Sequence, residues 1–169
     1  FYTSPQSFTA RFDKSVRMPV GVDIVFFKPD ESLERKPNSI LFLGRISPVK
    51  RVLEFVQWFG DQDGGLTATI AGPVSDVDLS YKNQVESLVS RLGLESRIKI
   101  LGSVSQEQAK RLYQENEFYV NLTPSGSFDK TILEAMACGA VPLVVNEAIC
   151  DSFPKLVAED VSKLSSSLA

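Results

Sequence analysis

Pro124-Ser125-Gly126-Ser127-Phe128-Asp129-Lys130-Thr131-Ile132-Leu133-Glu134-Ala135-Met136-Ala137-Cys138-Gly139 follows an apolar run at 118–122, Phe-Tyr-Val-Asn-Leu. The run reads as a buried strand, the small polar residues after it as a turn, and the remainder as a helix. Ile132, Leu133, Met136 and Ala137 give that helix one apolar face. Asp129 or Ser127 can cap its start, and Gly139 can end it at the position where left-handed backbone is wanted. A strand, a short polar loop and a free helix N-terminus make a natural anion site, because unpaired N–H groups and the positive end of the helix dipole converge there. Glu134 lies one turn deeper, out of reach of an anion at that point, and a carboxylate flanked by Leu133 and Ala135 in so apolar a helix must find donors.

Working outward, the same alternation recurs. Residues 40–43 form a continuous apolar run, the mark of a strand covered on both faces. A loop at 44–51 leads to Val52, Leu53, Phe55, Val56 and Phe59 at helical spacing. A strand at 67–71 closes on Gly72-Pro73. Helix 79–92 sets Val85, Leu88, Val89 and Leu92 on one face and stops at Gly93. Strand 97–101 precedes Gly102, a capping-type pattern opens at Ser105, and a fifth strand is read at 140–145 after the opening helix. The pattern predicts an α/β fold, a Rossmann-like doubly wound parallel sheet with helices on both faces. Ligands of such sheets sit beyond the carboxyl ends of the strands, which places the loops starting at Gly44, Gly72, Gly102 and Pro124 on one edge. Residues 1–37 read as a lead-in packed on the domain edge, 38–160 as the compact domain, and the serine-rich 161–169 as a frayed tail.

Composition narrows the chemistry. A formal charge of −3 over 169 residues gives no broad basic surface for nucleic acid. No apolar run approaches a membrane span, and no secretory signal opens the chain. Two cysteines, Cys138 and Cys150, make no disulfide framework, and a reducing, cytoplasmic setting is expected. The absence of histidine removes Ser-His-Asp and Cys-His catalysis and the usual zinc sites, so no metal centre is expected. The chain starts at Phe1 rather than Met, which suggests a piece of something longer.

Arg45 and Lys50 stand five apart on the loop after the first strand, where Gly44 lets the chain turn. Two cations beside a helix N-terminus suit a diphosphate: Arg grips oxygens bidentately and Lys adds a point charge. Most such side chains are simply solvated surface, and so are most helix glutamates. A buried Glu134 would instead be satisfied by two vicinal hydroxyls, as on a ribose. Ser125, Ser127, Asp129, Lys130 and Thr131 form a polar cluster placed as ligand sites often are.

These residues carry a resemblance. Gly44-Arg45-Ile46-Ser47-Pro48-Val49-Lys50 is similar to the G-R-x-x-x-x-K loop of the group 1 glycosyltransferases, retaining enzymes of the two-domain GT-B fold. Ser127 through Gly139 resembles their F-G-x-x-x-x-E-A-M-A-x-G segment. Gly21-Val22-Asp23 with Phe27-Lys28-Pro29 resembles the piece before their second domain. The resemblance spans about residues 16–148. It implies the donor-binding C-terminal half of a metal-independent enzyme that transfers a sugar from a nucleotide diphosphate-sugar, with no separate cofactor. Arg45 and Lys50 would hold the diphosphate and stabilise the leaving group. Thr131 and Ile132 would offer it backbone N–H groups, and Glu134 would grip the ribose. Gly102, Ser103 and Val104 would line the base pocket, and Ser127, Phe128, Asp129 and Lys130 would lie along the donor. The acceptor-binding N-terminal domain would belong to the same longer parent, which can sit at a membrane surface. Two positions depart from the pattern. Gly126 stands where the family often has a sugar-contacting Glu, and Asp129 stands at its common second Gly. Asp129 is then either a sugar contact or only an N-cap. The isolated chain is expected to bind donor without turnover; the alternative is a non-catalytic nucleotide-binding or interaction domain that keeps the fold. A dinucleotide oxidoreductase is disfavoured, because the first strand–helix turn lacks G-x-G-x-x-G.

Overall fold

A computed structural model describes residues 13, 21–62, 64–124, 129–145, 161, 163 and 164. Among the described residues, five strands alternate with four α-helices: β1 (Lys36–Leu43), α1 (Val52–Gly60), β2 (Thr67–Ala71), α2 (Leu79–Arg91), β3 (Ile98–Gly102), α3 (Gln106–Glu115), β4 (Asn116–Asn121), α4 (Lys130–Ala137) and β5 (Val141–Val144). Every pairing is parallel and the order is β3-β2-β1-β4-β5. The chain builds outward from β1 to β3, then crosses back to lay β4 on the other side of β1. The Rossmann-like doubly wound sheet expected from the sequence is therefore present. Its crevice, where the strand order reverses, opens between β1 and β4.

The apolar runs are buried on both faces because helices cover both. Ile40 and Phe42 of β1 join Ile70, Val120, Phe55, Val56, Phe59, Val85 and Val89 in one core beneath α1 and α2. Leu41 points the other way and packs with Tyr119, Tyr113, Ile132 and Ala135 beneath α3 and α4. Alternation across the pleat thus serves two cores at once. Leu164, within the stretch read as a tail, is completely buried in the first core, with Val161 packed against it.

β1 starts at Lys36, ahead of the run expected at 40–43, and its register with β4 slips between Lys36 and Ile40. Asn38 turns to φ 55° there, and side chains repair the lost ladder. Glu117 Oε2 accepts the Asn38 N–H at 2.6 Å, and Ser39 Oγ accepts the Glu117 N–H at 3.0 Å. The described part of the lead-in, from residue 21 on, is fastened to the domain. Phe27 is buried edge-on to Tyr113, and Arg35 donates to the carbonyls of Tyr113, Asn116 and Cys138. Those carbonyls close α3 and α4, so a cation satisfies the negative ends of two helices.

The capping box predicted at Ser105 is complete, with Gln108 as its partner. The apolar face read for α4 is corrected only in part: Ile132 is buried in the second core, with Met136 and Ala137 packed against it. Ile132, Glu134 and Ala135 are its buried residues, whereas Leu133, Met136 and Ala137 are only half-buried. Leu92 is likewise exposed, while Val85, Leu88 and Val89 go inside as expected. Among the described residues, no helix is long and apolar enough to cross a membrane.

Candidate functional site

The carboxyl ends of β1, β2 and β3 are laced together by backbone bonds. Gly44 N–H donates to Ala71 O at 2.9 Å and Gly72 N–H to Gly102 O at 2.7 Å. Ile46 N–H then donates to Pro73 O at 2.9 Å. Beyond Ile46 the chain makes one 3-10 turn, Pro48–Lys50, and swings into α1 through Arg51 in left-handed backbone at φ 58°. The turn directs the Lys50 side chain over the β1–β4 crevice. There its Nζ donates to Asp129 Oδ2 at 2.5 Å and Thr123 Oγ1 at 3.0 Å.

Asp129 is the N-cap of α4, one of the two caps read from the sequence. Its Oδ1 accepts from the Thr131 hydroxyl at 2.7 Å and from the Thr131 N–H at 3.3 Å. Its Oδ2, besides Lys50, accepts from Asn121 Nδ2 at 2.9 Å. The Asn121 Oδ1 in turn holds the Thr123 N–H at 3.1 Å, and the Tyr119 hydroxyl lies 2.6 Å from the Thr131 hydroxyl. Burial pushes the Asp129 carboxyl up, but the Lys50 ammonium and the Thr131 and Asn121 donors outweigh it and hold the group below its ordinary range. Burial beside Asp129 pushes the Tyr119 phenol well above its usual value, so it stays a neutral hydroxyl.

The other expected site residues fall around this network. Arg45 is exposed and makes no ion pair or hydrogen bond among the described residues. Glu134 is buried, with its Oε2 accepting from the Tyr113 hydroxyl at 3.3 Å and Oε1 lying 3.6 Å from Lys130 Nζ. The Ile132 side chain is core, and its N–H donates to Asp129 O at 3.2 Å. Gly102, at φ 71°, ends β3, with Ser103 exposed and Val104 half-buried after it. Ser127 and Phe128 lie outside the described residues. The structure therefore joins Lys50, Asp129 and Thr131 directly and keeps Arg45 apart. Tyr119, Asn121 and Thr123 were not singled out from the sequence. The one available signal was Asn121, an amide inside the otherwise apolar run 118–122, which here is buried and must be hydrogen-bonded.

Residues 24–164 match the family model described as glycosyl transferases group 1. The chain belongs to that family. This group 1 glycosyl transferase chain is 29% identical over 150 residues to D-inositol 3-phosphate glycosyltransferase of Mycolicibacterium smegmatis, a match covering 84% of this chain and 34% of that protein. It thus spans about a third of the length of that curated relative. Its fold matches the C-terminal domain of the group 1 glycosyl transferase LpcC from Francisella tularensis, with a TM-score of 0.72 at 22% identity over 88% of this chain and 86% of that one. HepE from Anabaena, solved with UDP and glucose, superposes with a TM-score of 0.78 at 18% identity, over 90% of this chain and 46% of that one. The fold is that of the Rossmann-like C-terminal domain of a GT-B glycosyltransferase.

Proposed function

We propose that this chain is the donor-binding half of a retaining, metal-independent glycosyltransferase that uses a nucleotide diphosphate-sugar and no other cofactor. One observation carries the reading: Lys50 from the β1 loop and the start of α4 converge on a single anion position in the β1–β4 crevice, filled here by the Asp129 carboxylate. A phosphate oxygen meets the same donors. Arg45, exposed on the same loop, supplies a second cation. As the bond from the sugar's anomeric carbon to the diphosphate breaks, charge grows on the leaving oxygen, and these cations stabilise it. Glu134 lies one turn further in, where the ribose of a bound nucleotide would reach. The base would lie toward Gly102, Ser103 and Val104, two strands from β1. The retaining and metal-independent parts rest on the resemblance of the 44–50 and 127–139 segments. An acceptor-binding domain of the same parent would form the other wall of the cleft, so the isolated chain binds donor without transferring it.

Calorimetry with UDP, GDP and ADP and their sugars tests this, a UDP-sugar first given the UDP-bound relative. Arg45→Ala or Lys50→Ala is expected to weaken binding by about 1–3 kcal/mol, the range for losing a charge-assisted hydrogen bond. No binding to any of them at millimolar concentration would sink the proposal. One observation favours the alternative of a non-catalytic binding domain: Lys50 is already neutralised by Asp129. A parent chain that bound nucleotide yet transferred no sugar would decide for it.

A further inference from the structure

The Asp129 carboxylate does more than cap α4. A cap needs one oxygen, and Oδ1 fills that role with the Thr131 N–H and hydroxyl. Oδ2 is a second set of bonds, to Lys50 Nζ and Asn121 Nδ2, that capping does not require. Together the two oxygens occupy Lys50 and the Thr131 N–H, and the Asp129 carbonyl takes the Ile132 N–H. Those are the groups an incoming diphosphate would use.

We infer that Asp129 is an internal counter-anion that competes with the donor's diphosphate for Lys50 and the start of α4, and so weakens the hold on the diphosphate. This deepens the proposed function and rests on it.

The surrounding charges support the inference. Lys50 is the cation Asp129 contacts, and Asp129 is its partner in the ion pair, with side chains 23% and 13% exposed. Lys130, the next residue on α4, reaches toward Glu134 instead. Arg45 is exposed and unengaged by the described residues. A diphosphate entering the crevice therefore meets a carboxylate at close range in a partly dry site, where like charges repel strongly. That repulsion exceeds the ordering that Asp129 gives to a single Lys side chain, so Asp129 is a positioning residue with a net cost to anion binding. A free nucleoside diphosphate carries more negative charge than the same diphosphate linked to a sugar. Asp129 thus opposes the product more than the donor, and its chemical consequence is easier product release.

The test titrates the 169-residue chain calorimetrically with inorganic pyrophosphate, then with UDP and UDP-glucose. The variants are Asp129→Asn, Asp129→Ser and each of these combined with Lys50→Ala. Asn and Ser keep the helix cap and remove the charge; two of them are used so that poor folding of one leaves the other informative. Both are expected to bind pyrophosphate about tenfold more tightly than the parent, with a steeper loss of affinity on adding salt. The gain should be larger for UDP than for UDP-glucose and should vanish without Lys50. A purely structural Asp129 gives loss of affinity, never gain. Binding by the variants alone, with none by the parent chain, also supports the inference. Equal or weaker binding by folded variants, with the parent chain binding, overturns it and leaves the diphosphate reading standing. No binding by any of the proteins overturns both.

Discussion

A Cβ atom on Gly72 would lie 1.9 Å from the carbonyl oxygen of Gly44. The ends of β2 and β1 approach so closely because the first has no side chain, and its φ of 148° also excludes one. Gly72→Ala is expected to cost more than about 3 kcal/mol, since two backbones must part. It should also displace the Gly44–Arg45 turn and weaken pyrophosphate binding. Gly93, at φ 66° with open space around it, is the control. Its Ala variant should lose only about 1–2 kcal/mol for left-handed backbone. Urea denaturation of the two variants compares them.

Arg35 gathers three carbonyl oxygens that end α3 and α4. Arg35→Met leaves them without their donors and is expected to lower stability by about 2–4 kcal/mol in urea melts. Arg35→Lys should recover less than half of that, because one ammonium cannot span three carbonyls as a planar guanidinium does.

Leu164 is fully buried against the first core although Lys163 precedes it and three serines follow it. Leu164→Ala is expected to destabilise the domain by about 2–4 kcal/mol. Ending the chain at residue 160 should cost at least as much, visible as a lower melting temperature.

The Asp129 carboxyl is held below its ordinary value of 3.8 in the fold. The unfolded chain therefore binds the proton first, and the stability contributed by the charged form is complete above that value and lost as pH falls through the folded one. Asp129→Asn should be less stable than the parent near pH 6, by about 1–2 kcal/mol for a charge-assisted contact that is mostly buried. The difference should begin to shrink as pH falls to about 3.8 and keep shrinking as pH falls through the lower folded value. Denaturant midpoints measured from pH 6 to 2.5 follow it. Loss of stability with gain of anion affinity in one variant would mark a trade made at a binding site.

The sheet was legible because its strands are short and its two central ones, β1 and β4, contain the continuous apolar runs 40–43 and 118–120. Ile40 and Leu41 face opposite cores, so burial on both sides keeps polar residues out of the run at 40–43. Lys50, Asp129 and Thr131 were legible from their spacing around a turn and a helix start. Tyr119, Asn121 and Thr123 were not, because hydroxyls and amides at a strand end have no periodicity and gain meaning only from what the next loop sets beside them. The buried face of α4 was read only in part for a related reason. In an eight-residue helix the stripe is set by the elements beneath it, and Tyr113 from α3 draws Glu134 inward. Arg35 passed as part of the lead-in because its partners are carbonyls, which no sequence pattern displays. Leu164 was hidden by the serines around it.

The segment before the sheet is fixed at three points: Phe27 against Tyr113, the Lys28 carbonyl taken by Gln114 Nε2 at 2.7 Å, and Arg35 on the ends of two helices. The prolines at 29 and 37 look like a joint, yet the chain between them travels with the sheet as one body. Any pivot toward chain lying upstream must therefore sit before Phe27, so an opening or closing rotation would be geared about that point and would carry Lys50 and Asp129 along without disturbing their pairing.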